Sequence, residues 1–447
     1  MEKAERAVDS SGSDIDLSAF WMPFTDNRAF KRQPRLLSRA AGMYYYTPEG
    51  RAILDSTAGL WCVNAGHCHP RIVDAIRAEA GTLDFAPTFQ LGHPIAFRCA
   101  DAVARIMPPG LDRIFFTNSG SESADTALKI ALAYQRAVGQ TGRYRLIGRQ
   151  RGYHGTNFGG MSVGGIGGNR SGFASQVWGV DHLSHTYRAS AAFTRGLPPE
   201  QPDLAQELEQ IIALHGAETI AALIVEPLAG STGVLVPPRG YLQQVREITE
   251  RHGILLIFDE VITGFGRLGA ATAAEYFGVV PDIITTAKGL TSGTVPMGAV
   301  IASRKVHDAV IGAASGRGIE FMHGYTYSGH PLAAAAALAT LEVYAEEALF
   351  ERAATISPRF ENAIHALRDA PHVTDIRTLG LVAGIELAPR PGEPGIRAME
   401  AFHRCFDDGV LVRVTGDIIA LSPPLTVTDA QIDETVSTIR AALEAVA

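Results

Sequence analysis

At 447 residues the chain is longer than one hydrophobic core usually serves, so two or three domains and a deeply buried site are expected. Hydrophobic residues make up 46% and charged residues 19%, a globular composition that excludes a disordered or fibrous chain. A net charge of −8 with no long basic run leaves no footprint for nucleic acid or anionic lipid, and points to small-molecule partners.

Residues 1–17 are polar and acidic, and no later apolar run has membrane-spanning length, so a cytoplasmic protein is expected. Residues up to about Cys62 are expected to join a smaller unit completed by the carboxyl-terminal part. Cys62, Cys68, Cys99 and Cys405 lack paired spacing, which predicts reduced thiols. Gly66-His-Cys-His-Pro70 sets two imidazoles around a thiol. With no second ligand cluster in sight, it reads as the turn before a helix starting near Pro70, and no metal is expected.

From about Arg113 to Ser303, short apolar runs alternate with helical segments, the pattern of an open, largely parallel α/β sheet. Candidate strands are 114–117, 146–147, 222–225, 255–258, 283–286 and 299–302. Most are continuously apolar, as strands covered by helices on both faces should be. A helix over 241–252 stops at Gly253, and another opens at Pro331 and runs through alanines to Glu347. Beyond about Ala348 come a helix, short strands and a last helix opened by Thr428 and Gln431 as a capping box. The expected division is 1–62 with the small domain, 63–330 as the large domain, and 331–447 as linking helix and small domain.

Of 39 basic residues only five are lysines, and only Lys288 directly follows an apolar strand, at the sheet edge where α/β folds bind ligands. A lysine drawn out of water loses its ammonium more readily, which frees the amine for Schiff-base chemistry. A solvated loop lysine is the alternative. The preceding strand ends in Asp259 and Glu260. A buried carboxylate needs a cation or donors, and a protonated pyridine nitrogen would satisfy Asp259 while keeping the ring an electron sink. A metal-binding or merely strand-end acidic pair competes with that reading.

Ser119-Gly-Ser-Glu122 lies between a strand and a long amphipathic segment. Ser119 and Glu122 have capping-box spacing, and free amides near Gly120 and Ser121 can receive phosphate oxygens, unless this is an ordinary helix cap. Tyr153, in Gly152-Tyr-His-Gly155, can stack on a flat heteroaromatic ring or serve as a core tyrosine. The glycines of 159–168 lack the strand and helix context of a dinucleotide turn.

These motifs, with Phe258-Asp-Glu-Val-Ile-Thr-Gly-Phe-Gly-Arg267, Thr286-Ala-Lys-Gly289 and Gly324-Tyr-Thr-Tyr-Ser-Gly-His-Pro331, resemble the class III aminotransferases from about Trp21 to the end. Trp21-Met-Pro-Phe-Thr25, Gly59-Leu-Trp-Cys-Val-Asn-Ala-Gly66 and Val225-Glu-Pro-Leu-Ala-Gly230 resemble their omega-amino acid (beta-alanine) to pyruvate branch. The resemblance implies a fold-type-I transferase: a large, mostly parallel α/β domain plus a smaller α+β domain. It also implies bound pyridoxal 5′-phosphate, and a homodimer or tetramer with active sites at subunit interfaces.

It places the cofactor on Lys288, the pyridine nitrogen on Asp259, the ring between Tyr153 and Val261, and the phosphate on Gly120 and Ser121. Thr326 would reach the phosphate of the neighbouring subunit, and Glu226 would support the pocket. Arg413 would grip the substrate carboxylate, unless it is a strand arginine paired with Asp417, and Trp61 and Phe24 would wall the pocket. The implied reaction moves an amino group from an omega-amino acid or amine to pyruvate. Transaminases of taurine, 4-aminobutyrate or aryl-alkyl amines, and a noncatalytic cofactor-binding regulator, are the rivals.

Overall fold

The computed structural model describes residues 6–8, 14–314, 316 and 318–446, so residues 1–5 and 9–13 of the polar amino-terminal stretch lie outside it. The large sheet comprises β1 (Leu111–Thr117), β2 (Arg145–Arg149), β3 (Val180–Leu183), β4 (Ile220–Val225), β5 (Leu255–Asp259), β6 (Ile283–Thr286) and β7 (Gly298–Ser303). Their spatial order is β1-β7-β6-β5-β4-β2-β3. Six strands run one way, and β7 is antiparallel to both β6 and β1.

The continuous apolar runs have the predicted cause. Every residue of β4 and β5 is buried, and successive side chains alternate between two helical layers. Leu223, Val225, Leu256 and Phe258 share a core with Leu204, Leu208, Tyr241 and Val245, from helices Pro202–His215 and Tyr241–Arg251. Ala222, Ile224, Leu255 and Ile257 share the other with Ala124, Ala127, Leu128 and Ala131 of helix Gly120–Ala137. The edge strand β3 has no such run, only Val-Asp-His-Leu with one fully buried residue, and sequence reading passes over it.

A two-stranded antiparallel pair, Arg6–Val8 with Asp14–Asp16, and two four-stranded sheets complete the described sheets. In one, Val410–Leu411 adds in parallel to Ala52–Asp55, followed by Tyr44–Tyr46 and Arg39–Ala41. The other is antiparallel, in the order Val373–Thr378, Ala383–Leu387, Ile418–Leu421, Arg413–Thr415. Pro331 occupies the first turn of helix Pro331–Glu346, and the Thr428–Gln431 capping box opens helix Asp429–Ala445 with both of its hydrogen bonds formed.

Candidate active site

Asp259 ends β5 and pairs in register with Thr285 of the parallel neighbour β6, three residues before Lys288. Both side chains line one cavity together with Gly120, Ser121, Tyr153, His154, Gly155, Glu226, Val261 and Ile262. Lys288 stands at φ 45°, a left-handed conformation costing a non-glycine residue roughly 1–2 kcal/mol, which the surrounding turn must hold in place. It does so through Tyr344, whose hydroxyl donates to Gly289 O at 2.6 Å, and through Gly289, where a Cβ would fall 2.8 Å from Asn64 Nδ2. Burial pushes the Lys288 ammonium below the ordinary lysine value. The nearby Cys62 and Asp259 oppose that shift and Arg413 adds to it.

The strand-end carboxylates part company. Glu260 turns to the helix Ala273–Phe277, where it accepts the Ala274 N–H at 2.9 Å and that of Ala273, and burial raises its pKa to about 7. Asp259 faces the cavity, with Oδ1 accepting the Val261 N–H at 3.2 Å and Oδ2 lying 2.7 Å from His154 Nδ1. The acidic-pair alternative therefore fails, because one carboxylate caps a helix. His154 is a site residue that sequence reading missed. It stands beside Tyr153 in the same motif, a polar side chain between two glycines after a strand, and that signal was available. Glu226 accepts the Tyr153 N–H at 2.9 Å, and burial pushes its pKa up to about 7 against the opposing pull of His154.

Ser119 caps the helix Gly120–Ala137 through the Glu122 N–H at 3.2 Å, but the expected reciprocal bond is absent. The Glu122 carboxylate instead takes the Asn118 N–H at 2.7 Å, one residue upstream, because Asn118 also offers its amide at 2.9 Å. Among the described residues, the N–H groups of Gly120 and Ser121 donate to no protein acceptor. Ser121 Oγ accepts the Thr156 N–H at 3.1 Å, and its own proton remains to be given. A Cβ at Gly120 would press on Val261 at 3.0 Å, and one at Gly155 would lie 2.5 Å from Ser121 Cα, so both glycines let the two turns meet. An enclosed amine, a carboxylate facing it and unspent amides at a helix start fit pyridoxal phosphate at its aldehyde, ring nitrogen and phosphate respectively.

Arg413 lies close enough to Tyr153 and Lys288 to influence the ionisation of both. It makes no ion pair with Asp417, whose carboxylate accepts the Gly395 N–H at 2.8 Å. Its Nε is buried without a partner, and burial lowers its pKa. Trp61 is 3% exposed and sits beside the wall residue Ile262, both meeting at Gly230. Thr326 and Phe24 are exposed and do not reach the cavity of their own chain. His67 and His69 diverge, His67 to Asp55 at 2.8 Å and His69 to Glu347 at 2.9 Å, so the His-Cys-His run does not converge on a point.

The sheet and the lysine at its carboxyl edge define a fold-type-I pyridoxal-phosphate enzyme. A family model, aminotransferase class-III, matches residues 27–443, and the chain belongs to that family of pyridoxal-phosphate-dependent aminotransferases. It is 62% identical to an omega-aminotransferase of Caulobacter vibrioides over 96% of this chain and 98% of the relative. It is 48% identical to a beta-alanine–pyruvate aminotransferase of Pseudomonas aeruginosa over 97% of each. The crystal structure of the omega transaminase from Pseudomonas jessenii in complex with PMP superposes with a TM-score of 0.90 at 33% identity, covering 95% of this chain and 96% of that one. Among the described residues, no helix is long and apolar enough to cross a membrane.

Proposed function

We propose that the chain is a cytoplasmic transaminase that moves the amino group of an omega-amino acid such as beta-alanine, or of a related amine, to pyruvate, giving alanine and a semialdehyde or ketone. The observation that carries this is the single cavity shared by the Lys288 amine and the Asp259 carboxylate at the tips of neighbouring parallel strands. The names of the two relatives above supply the substrate class.

Pyridoxal phosphate, when bound, supplies an aldehyde that condenses with amines and a ring that takes up the electron pair released at the donor carbon. Lys288 would hold it, and its Nζ would take the proton from the amine-bearing carbon of the donor. Asp259 would hold the ring nitrogen in its protonated form, each pKa unit so gained amounting to about 1.4 kcal/mol. The Gly120 and Ser121 amides and the Ser121 hydroxyl would receive the phosphate, Tyr153 and Val261 would hold the ring, and Glu226 braces the Tyr153 turn. Arg413, a half-buried guanidinium with no carboxylate of its own, takes the carboxylate of the donor and then that of pyruvate.

A second copy of the chain completes the site. Thr326 and Phe24 are exposed, as are Phe89, Leu91, Met322 and Tyr327, an apolar set suited to burial between subunits with Thr326 presented to the partner's phosphate. The division into 1–62, 63–330 and 331–447 belongs to the same reading. A panel of amino donors with pyruvate or 2-oxoglutarate, scored by alanine or glutamate formed, tests it. Alanine from beta-alanine is expected, and borohydride should fix the cofactor to Lys288. Turnover with 2-oxoglutarate alone would overturn the pyruvate assignment, and a label on any other residue would overturn the site.

A further inference from the structure

Asp55, the last residue of the strand Ala52–Asp55, is fully buried and lies off the cavity, yet both of its carboxylate oxygens are engaged. They accept from Thr57 N–H at 2.9 Å, Gly59 N–H at 2.6 Å and His67 Nε2 at 2.8 Å. The single proton of the Thr57 hydroxyl lies between Asp55 Oδ1 at 3.0 Å and Gly59 O at 2.8 Å. The loop so gripped is strained, with Ala58, Gly59 and Trp61 at φ 47°, 65° and 64°. For the two non-glycine residues this conformation costs roughly 1–2 kcal/mol each. Gly59 lies against Tyr45, where a Cβ would meet the hydroxyl at 3.0 Å. His67 in turn is fixed by Tyr45, with ring centroids 4.1 Å apart, and by its N–H to Gly42 O at 2.7 Å.

The loop ends at the lysine turn, where Ala65 N–H donates to Ser292 Oγ at 3.0 Å and Asn64 Nδ2 to Phe265 O at 2.8 Å. On its other side Asp55 pairs in parallel register with Leu411, two residues before Arg413, and Ser56 N–H donates to Leu411 O at 3.1 Å. One buried carboxylate thus holds the segment carrying Trp61 and Cys62, while the backbone on either side of it pairs with the strand leading to Arg413.

We propose that Asp55 and His67 are positioning residues that set the substrate side of the site, fixing the loop of Trp61 relative to Lys288 while taking no part in holding the cofactor. This gives the His67 of the His-Cys-His run a role, and it rests on reading Trp61 as a substrate contact.

The test compares His67→Ala, His67→Gln and Asp55→Asn with wild type as holoenzymes. In His67→Ala, hydrogen exchange across 57–65 should rise and the KM for beta-alanine should increase roughly tenfold, with kcat within about twofold and cofactor absorbance unchanged. His67→Gln, whose amide can donate to Asp55 from a similar position, should restore most of both. Asp55→Asn, which turns an amide toward the Gly59 and His67 donors, should exceed His67→Ala. The proposal is overturned if exchange across 57–65 and the KM stay at wild-type values in His67→Ala. It is equally overturned if cofactor content and kcat fall in step with the melting temperature, since that marks general destabilisation. Should Asp55→Asn fail to fold, the two His67 variants decide alone. A wild-type enzyme inactive with beta-alanine would remove the functional reading above, while the exchange measurement would still report whether the pair holds the loop.

Discussion

The imidazole of His154 lies behind the carboxylate of Asp259, Nδ1 to Oδ2 at 2.7 Å, with its own Nε2 buried and unpartnered. A carboxylate in a dry site holds its charge only while its oxygens are satisfied, and His154 satisfies one of them. Replacing it with phenylalanine should leave that oxygen without its partner and Asp259 a poorer match for a protonated ring nitrogen. We expect kcat to fall by roughly tenfold or more, from a loss of transition-state stabilisation of at least about 1.4 kcal/mol, while borohydride still labels Lys288. Wild-type kcat in a folded His154→Phe enzyme would rule out the coupling.

Arg413→Ala should separate donors by charge. Buried bidentate guanidinium–carboxylate pairs contribute several kcal/mol, so kcat/KM for beta-alanine should drop by roughly a hundredfold or more. Amines without a carboxylate should change only a few-fold, or gain from the removed cation. Equal losses for both donor types would mean that Arg413 acts on the fold and not on the substrate.

Glu226 gives a pH signature in the cofactor-free protein. Burial raises its pKa from 4.5 to about 7, so between those values the folded state holds more protons than the unfolded state and stability falls as pH rises. The penalty is absent below about pH 4.5 and complete above about pH 7, reaching about 3 kcal/mol at about 1.4 kcal/mol per pH unit. Glu226→Gln keeps an oxygen for the Tyr153 N–H and carries no titrating group. Urea unfolding should show the variant more stable than wild type at pH 8 and equal to it near pH 4.5. An identical offset at both values would contradict the assignment.

Gly155→Ala should fail twice over, because φ is 91° there and a Cβ would sit 2.5 Å from the Cα of Ser121. We expect at least about 2 kcal/mol of destabilisation, with the Ser121 turn displaced and pyridoxal phosphate binding weakened. Fluorescence titration of the cofactor together with a urea melt measures both. Gly139→Ala, also at positive φ but in open space, is the control for backbone strain alone.

Much of the sheet could be read from the chain because β4 and β5 are buried on both faces, and such strands advertise themselves as unbroken apolar runs. The half-exposed edge strand β3 carries no such mark. Lys288 stands out in the chain because lysines are scarce and only one follows an apolar strand. Asp259 could not be told from Glu260 by composition, and their separation depends on which way each side chain leaves the end of β5.

The amino-acid order by itself determined the α/β class, the family, and the strand ends that carry Lys288 and residues 119–122, since each is written in local pattern, in residues a few positions apart. Only the tertiary structure decided that His154 backs Asp259 across 105 residues, that Arg413 stands free of Asp417, and that the strand ending in Asp55 pairs with the one leading to Arg413. Those relations join segments remote in sequence, and their strength comes from burial, which no local pattern records.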